Sequence, residues 1–312
     1  MKNKALTLTI VAKMTSNYGE GLGNIGSVQK VYRNGKSYAI RSRESLKNAI
    51  MVQSGMYDDL KADSSSGVSQ KSVDEKLNAS NCRALEGGYM NTKKVANDSK
   101  KKDGEKDEKI TRIRRSSFYI TDAIAFEPFI NEARFHNNLY LAQKSAEQQG
   151  INLQKEAKKS GLMPYQYEYD KSMKRYSITF DLDRVGEDLN FNAVADSKEK
   201  TNRVNCILDA IKDLSLVVRG NMDNAEPLFI VGGIGNKKTH YFENVVSVDE
   251  KKLQINDDLL SKLKEGYKAG LLEGNNFDNE KEIEEKLNPV SISSFFLDLK
   301  EEVKAYYENS SN

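Results

Sequence analysis

The 312-residue chain predicts an α+β fold, an antiparallel sheet with helices on one face and large insertions. Three observations predict it. The order strand, helix, long insertion, strands, helix, strand is that of α+β domains, of which the ferredoxin-like βαββαβ arrangement is the commonest. The segment 165–182 alternates with a period of two, and 202–218 repeats apolar residues at helical spacing.

The elements follow in order. Leu6, Leu8, Ile10 and Ala12 alternate with Thr7, Thr9, Val11 and Lys13, the pattern of a half-buried strand. The loop from Asn17 to Gly26 holds four glycines, and the chain then returns through Arg41 to Lys47 into a helix over about 43–54. Residues 58–109 are rich in Ser, Asn, Lys, Asp and Gly with few core candidates, so they are expected to form a protruding insertion rather than a fold of their own. Order returns at 110–126, where Arg112, Arg114 and Arg115 precede Phe118 and Ile120. A hairpin is expected from 165–170 and 175–182 around the turn Lys171-Ser172-Met173-Lys174. A helix is expected over about 202–218 through Val204, Ile207, Leu208, Ile211, Leu214 and Val218, stopping near Gly220. A buried strand, 227–231, enters a glycine loop from Gly232 to Lys238, and 241–248 returns as a strand. The remainder reads as mostly helical. No internal repeat is evident.

Composition narrows the function classes. Residues 1–50 hold nine Lys/Arg against two acidic residues, whereas 251–312 hold nine Lys against thirteen Asp/Glu. A basic first half with an acidic tail suits polyanion binding and head-to-tail contact, although a chance fluctuation of solvated charge gives the same count. Cys82 and Cys206 are too few for a disulfide framework or a four-ligand zinc site and read as free thiols. With no signal-peptide core and no apolar run of membrane length, a reducing cytoplasm is the default and no membrane is expected.

The Asn17–Gly26 loop matches G-x-G-x-x-G at Gly21, Gly23 and Gly26, but no amphipathic helix follows, so an ordinary flexible loop outweighs a dinucleotide site. The Arg41–Lys47 segment is more specific. Ser42 can cap the helix and leave its first N–H groups beside Arg41, Arg43 and Lys47, a place for phosphate; a capped surface helix with solvated cations is the equal alternative. Asp181 and Asp183 read as a local salt-bridge or loop-fixing pair, and neither a metal nor a small-molecule cofactor is assigned.

The opening strand, the Asn17-Tyr18 loop, the Ser42-Arg43-Glu44-Ser45-Leu46-Lys47 helix start, the run Phe180 to Gly186 and the late Gly232-Gly233 occur in the order seen in the DevR-type branch of CRISPR-associated proteins. Over residues 4–250 the chain resembles the repeated backbone subunit of a type I, I-B-like, Cascade surveillance complex. The resemblance implies an RRM-like palm at 1–57 and 110–250, a finger at 58–109, a thumb within 183–201, and a helical region at 251–312 packed on the palm. It implies CRISPR RNA, target DNA, further copies of the chain in a helical filament and other Cascade subunits as partners, with the guide held rather than cut. Asn17, Asn24, Arg41, Ser42, Arg43, Ser45, Lys47, Arg112, Arg114, Arg115, Gly232, Gly233, Lys237 and Lys238 would contact RNA, chiefly its backbone, so that affinity carries no base preference.

Two features depart from an ordinary RRM. No RNP1 sequence is present, so Tyr165, Tyr167 and Tyr169 are expected in the core before they are expected to stack bases. Residues 14–30 contain Glu20 and no Asp, where related RNA-cleaving subunits use an aspartate, and His136 and His240 alone make no active site. The contrasting readings are a ribonuclease of the same superfamily and a mononucleotide-binding metabolic protein.

Overall fold

The computed structural model describes residues 4–19, 25–64, 67–94, 109–152, 155 and 164–309. The Glu20 and Asn24 readings and part of the glycine loop lie outside them.

The centre is a nine-stranded sheet. Its strands are β1 (Ala5–Thr15), β2 (Lys30–Arg33), β3 (Lys36–Arg41), β4 (Phe118–Ile120), β5 (Ala123–Ala125), β6 (Lys171–Asp181), β7 (Pro227–Gly235), β8 (Lys268–Leu271) and β9 (Val290–Ser291). They lie in the order β9-β8-β7-β1-β6-β5-β3-β2, with β4 also paired to β6. Only β8 and β9 run parallel among these pairs. β1 sits between β6 and β7, pairing from Ala5↔Asp181 to Thr15↔Lys171 on one side and with Val231, Ile230 and Phe229 near its middle on the other.

The period of two in β1 sets which side chains meet which layer. Leu6, Leu8, Ile10, Ala12 and Met14 join Tyr176, Ile178 and Phe180 of β6 beneath three helices, α1 (Arg43–Gln53), α2 (Ser197–Lys212) and α3 (Ile292–Asn309). Leu46 and Ile50, Val204 and Ile207, and Phe295 and Phe296 are the apolar faces these helices lay on the sheet. The opposite face is closed as well, so β1 is buried throughout its length except at Lys13, not half-buried as its alternation predicts. Thr7 and Thr9 pair their hydroxyls with Thr179 (3.2 Å) and Ser177 (2.8 Å), and the Thr239 carbonyl accepts from both Thr7 and Thr179. Farther along, Val11, Phe229 and Val231 pack under Phe242, Val246, Leu259 and Phe277.

Several expectations are corrected. The 165–182 hairpin does not form: Tyr165–Glu168 joins a separate small sheet, while β6 begins at Lys171 and runs unbroken. Lys171 and Lys174 look like turn residues, yet they enter the strand because Asp223 and Asp170 receive their ammonium groups. α2 starts at Ser197, capped by Asp196, and ends at Lys212; Ser215–Val218 and Asn221–Asn224 are a hairpin instead of its last turns. Gly232 and Gly233 are inside β7, opposite Leu8 and Thr7, because a Cβ at Gly232 would collide with the Thr7 carbonyl oxygen. Residues 241–245 are turns, with only Val248–Asp249 extended. The 251–312 region adds β8 and β9 to the sheet besides its helices.

The insertion carries a small core of its own, Val73, Ala79, Cys82, Ala84, Leu85 and Tyr89, and a hairpin of Tyr89–Lys94 with Lys109–Arg114. An ion network ties it to α2. Glu86 accepts from Arg114 (3.0 Å) and Arg203 (2.8 Å), and Glu199 accepts from Arg203 and Arg83, each at 2.8 Å. Both Cys82 and Cys206 are free thiols. No helix among the described residues is long and apolar enough to cross a membrane.

Candidate nucleic-acid interface

The start of α1 is braced from three sides. Ser42 is extended (φ −64°, ψ 147°), and its hydroxyl accepts from the Ser45 N–H at 3.3 Å. The Asn17 side chain accepts from the Ser42 N–H at 2.7 Å and donates to Gln29 at 2.6 Å, so the first loop and the helix start form one unit. The Asp122 carboxylate accepts from the Arg43 N–H at 2.7 Å. A protein carboxylate therefore already meets the helix N-terminus, and a phosphate here would rely on side-chain cations. Arg43 can supply one: its side chain is 63% exposed and pairs with the adjacent Glu44. Ser45 is half-buried beside it.

The other predicted cations divide between interior and surface. Arg41 is buried and donates to the Thr15 carbonyl; burial pulls its guanidinium below the ordinary range, opposed by Asp223. Arg114 is also buried, donating to Glu86 and to the Leu85, Arg184 and Glu187 carbonyls. These two are structural cations, a correction to their assignment as RNA contacts. Lys47 turns toward the insertion, donates to the Gly87 carbonyl and Ser116 hydroxyl, and lies 4.5 Å from the Phe118 ring centre. Burial, and then the Lys71 ammonium, lower Lys47 to about 8. Arg112 lies over Phe191 at 4.9 Å, whereas Arg115 is exposed.

Around β7 the assignment separates similarly. Gly232 and Gly233 are buried in the sheet and present no loop to a ligand. Lys238 is held by Asp181 (2.7 Å) and Asp183 (3.0 Å), while Lys237 is exposed near the Tyr241 ring. His240 meets the Thr179 hydroxyl through Nδ1 at 2.9 Å, and burial lowers its pKa.

Sequence reasoning missed a second cluster and misplaced its tyrosines. Tyr165 and Tyr167 are not core residues. They stand on a small sheet of Ile25–Gly26, Ala133–His136 and Tyr165–Glu168, where His136 pairs with Tyr165. Arg219, at the tip of the 215–224 hairpin, lies 4.3 Å from the Tyr18 ring centre and 5.3 Å from that of Tyr167, and Arg134 lies 3.9 Å from Tyr169. Arg219 fits because position 26 is glycine: a Cβ there would strike its guanidinium. The Tyr165-x-Tyr167-x-Tyr169 alternation was the visible signal; the hairpin that brings Arg219 to it was not.

Fold and site together define an α+β protein with a doubly covered central sheet, an inserted lobe and separate cationic surfaces. Its family follows from the sequence model for the CRISPR-associated negative auto-regulator DevR/Csa2, which matches residues 6–252. The chain belongs to that CRISPR-associated family. No curated protein matches it in sequence. Among solved structures it is similar to a chain of a CRISPR RNA-guided surveillance complex, pre-nicking, at 12% identity and a TM-score of 0.49, covering 87% of this chain and 93% of that one. It is also similar to a chain of a CRISPR RNA-guided surveillance complex at 12% identity and a TM-score of 0.47, covering 86% and 90%.

Proposed function

We propose that this chain is a CRISPR RNA-binding backbone subunit of a type I, I-B-like Cascade complex, which polymerises along the guide and presents it for pairing with target DNA without cutting either strand. The observation that carries this reading is the DevR/Csa2 match across residues 6–252, a span containing both the α1 start and the inserted lobe. The order β7-β1-β6-β5, with α1 following β1 and α2 lying between β6 and β7, supports an RRM-like palm. Residues 58–109 are the proposed finger, and part of 183–201 the proposed thumb.

The sheet argues for backbone contacts outside its faces. An RRM offers an open sheet to bases, but Thr7, Thr9, Ser177 and Thr179 lie buried, in contact with one another or with residues 239–240. Exposed Arg43, Arg115 and Lys237 then supply the phosphate contacts, and base pairing supplies the sequence specificity. The two histidines support a scaffold over a nuclease, since Thr179 engages His240 and His136 packs against Tyr165 and Tyr167.

The test is to purify the chain with the other subunits from cells expressing a CRISPR array and to sequence the RNA retained. Intact CRISPR RNA with wild type, reduced by Arg43→Ala plus Arg115→Ala, is the expected result. Retention of no CRISPR RNA, or RNA with new internal ends that require this chain, would overturn the scaffold reading.

A further inference from the structure

The small sheet carries three rings that no core accounts for. His136, Tyr165 and Tyr167 lie within 19° of parallel, with centroids 5.5 Å (His136 to Tyr165), 4.7 Å (His136 to Tyr167) and 6.4 Å (Tyr165 to Tyr167) apart. These separations describe a triangle rather than a column; in a column the outer pair would be much farther apart. Each ring therefore leaves part of its face uncovered by the others. Among the described residues none belongs to the clusters of buried apolar residues, and Tyr165 is 41% exposed. Among the described residues His136 Nε2 is buried without a hydrogen-bond partner. Arg219 adds an exposed guanidinium at the Tyr167 side of the cluster.

We infer that Tyr165, His136 and Tyr167, flanked by Arg219, form a stacking platform for unpaired bases of a single-stranded nucleic acid. This rests on the nucleic-acid reading above and adds a site distinct from the α1 start. Near-parallel rings, with Tyr165 the exposed member, fit planar bases of any identity, and the neighbouring guanidinium fits the phosphate or the base face. A duplex does not fit, because its bases already stack on one another. RNA and single-stranded DNA share the required chemistry.

The experiment uses the full chain with twelve-nucleotide single-stranded RNA, single-stranded DNA or duplex RNA, each carrying 2-aminopurine. Stacking quenches this fluorophore, and a salt titration of affinity is run in parallel. Wild type is expected to quench a single strand and leave the duplex bright; RNA and DNA arms identify which strand the platform takes. Tyr165→Ala should weaken single-strand binding about tenfold and lose the quench, leaving the salt slope unchanged, because a ring carries no charge. Tyr165→Phe should behave as wild type, and Arg43→Ala should lower the salt slope but keep the quench. Binding and quenching unchanged by Tyr165→Ala, with Arg43→Ala still lowering affinity, would overturn the platform and leave the phosphate contacts standing. Failure of wild type to bind either single strand would overturn both. Far-ultraviolet circular dichroism of Tyr165→Ala, expected to match wild type, separates loss of a contact from loss of the fold.

Discussion

Asp223 anchors Thr15 twice: one carboxylate oxygen accepts from the Thr15 N–H at 2.7 Å and from its hydroxyl at 2.6 Å. This ties the 215–224 hairpin to the end of β1, and with it the hairpin tip that holds Arg219 over Tyr18 and Tyr167. Burial pushes the Asp223 carboxyl up, but the Thr15 and Lys171 hydrogen bonds outweigh it and hold the group below the usual carboxylate range. Its stabilising effect is therefore complete above the unfolded-state pKa and lost as pH falls through the lower folded value. Asp223→Ala is expected to cost about 2–4 kcal/mol near pH 7, since it strands a buried N–H and hydroxyl. Urea denaturation at pH 7 and pH 3 should show the gap from wild type narrowing in acid; an equal gap at both would refute the assignment.

Lys47 gives the second pH signature. With its ammonium lowered to about 8, the folded chain releases a proton that the unfolded chain keeps until near the ordinary lysine value of about 10.4. Between those limits the unfolded state binds more protons, so this residue raises stability as pH rises. Relative to Lys47→Met, wild type should gain denaturation midpoint between pH 7 and pH 10. A gap that stays constant over that range would mean the ammonium is not desolvated as described.

Glu86 stands between two buried guanidinium groups, Arg114 and Arg203. Glu86→Ala leaves both without their shared carboxylate and is expected to destabilise by about 3–5 kcal/mol. Limited proteolysis should then cut within the 58–114 lobe sooner than in wild type. Unchanged cleavage would show that the apolar contacts of the lobe suffice to dock it.

Gly232 is required both by its own backbone and by its neighbour. Its φ of 157° is one that L side chains rarely adopt, and an added methyl would also run into the Thr7 carbonyl oxygen in the adjacent strand. Gly232→Ala should either prevent soluble expression or lower stability by about 3 kcal/mol or more, an overpacking cost at the upper end of the usual range. Thermal unfolding checks it, and a melting temperature within a degree of wild type would contradict the packing.

Arg43 and Arg41 lie two residues apart but have different prospects. Arg43→Ala should weaken RNA binding uniformly across sequences and reduce the salt slope by about one, with stability unchanged. Arg41→Ala should reduce stability instead. Filter binding at several salt concentrations, with a melt of each variant, distinguishes them.

That contrast marks what the sequence could convey. β1, α1 and the apolar stripe of α2 were legible because their patterns depend on local periodicity, and Ser42 announced its cap. Arg41 is buried against the Thr15 carbonyl and Arg114 against Glu86, partners distant in the chain, and nothing local marks a buried cation. Lys171 to Lys174 resembled a turn although Asp170, which receives Lys174, is adjacent in sequence; only Asp223, the partner of Lys171, lies far away. Gly232 and Gly233 suggested a loop, whereas both lie inside β7, where a Cβ at Gly232 would meet the Thr7 carbonyl oxygen. Leu214 to Val218 continued a helical apolar spacing yet satisfied a strand equally well, and the helix ended at Lys212 instead.

The network Arg114-Glu86-Arg203-Glu199-Arg83 has a mechanical meaning. A pull on the inserted lobe reaches α2 through successive charged forks, and Glu86 also receives the Gly186 N–H at 2.6 Å, so the 183–201 segment is fastened at the same joint. The inserted lobe, α2 and the turn at Gly186 thus share one buried carboxylate, and its loss would loosen all three at once.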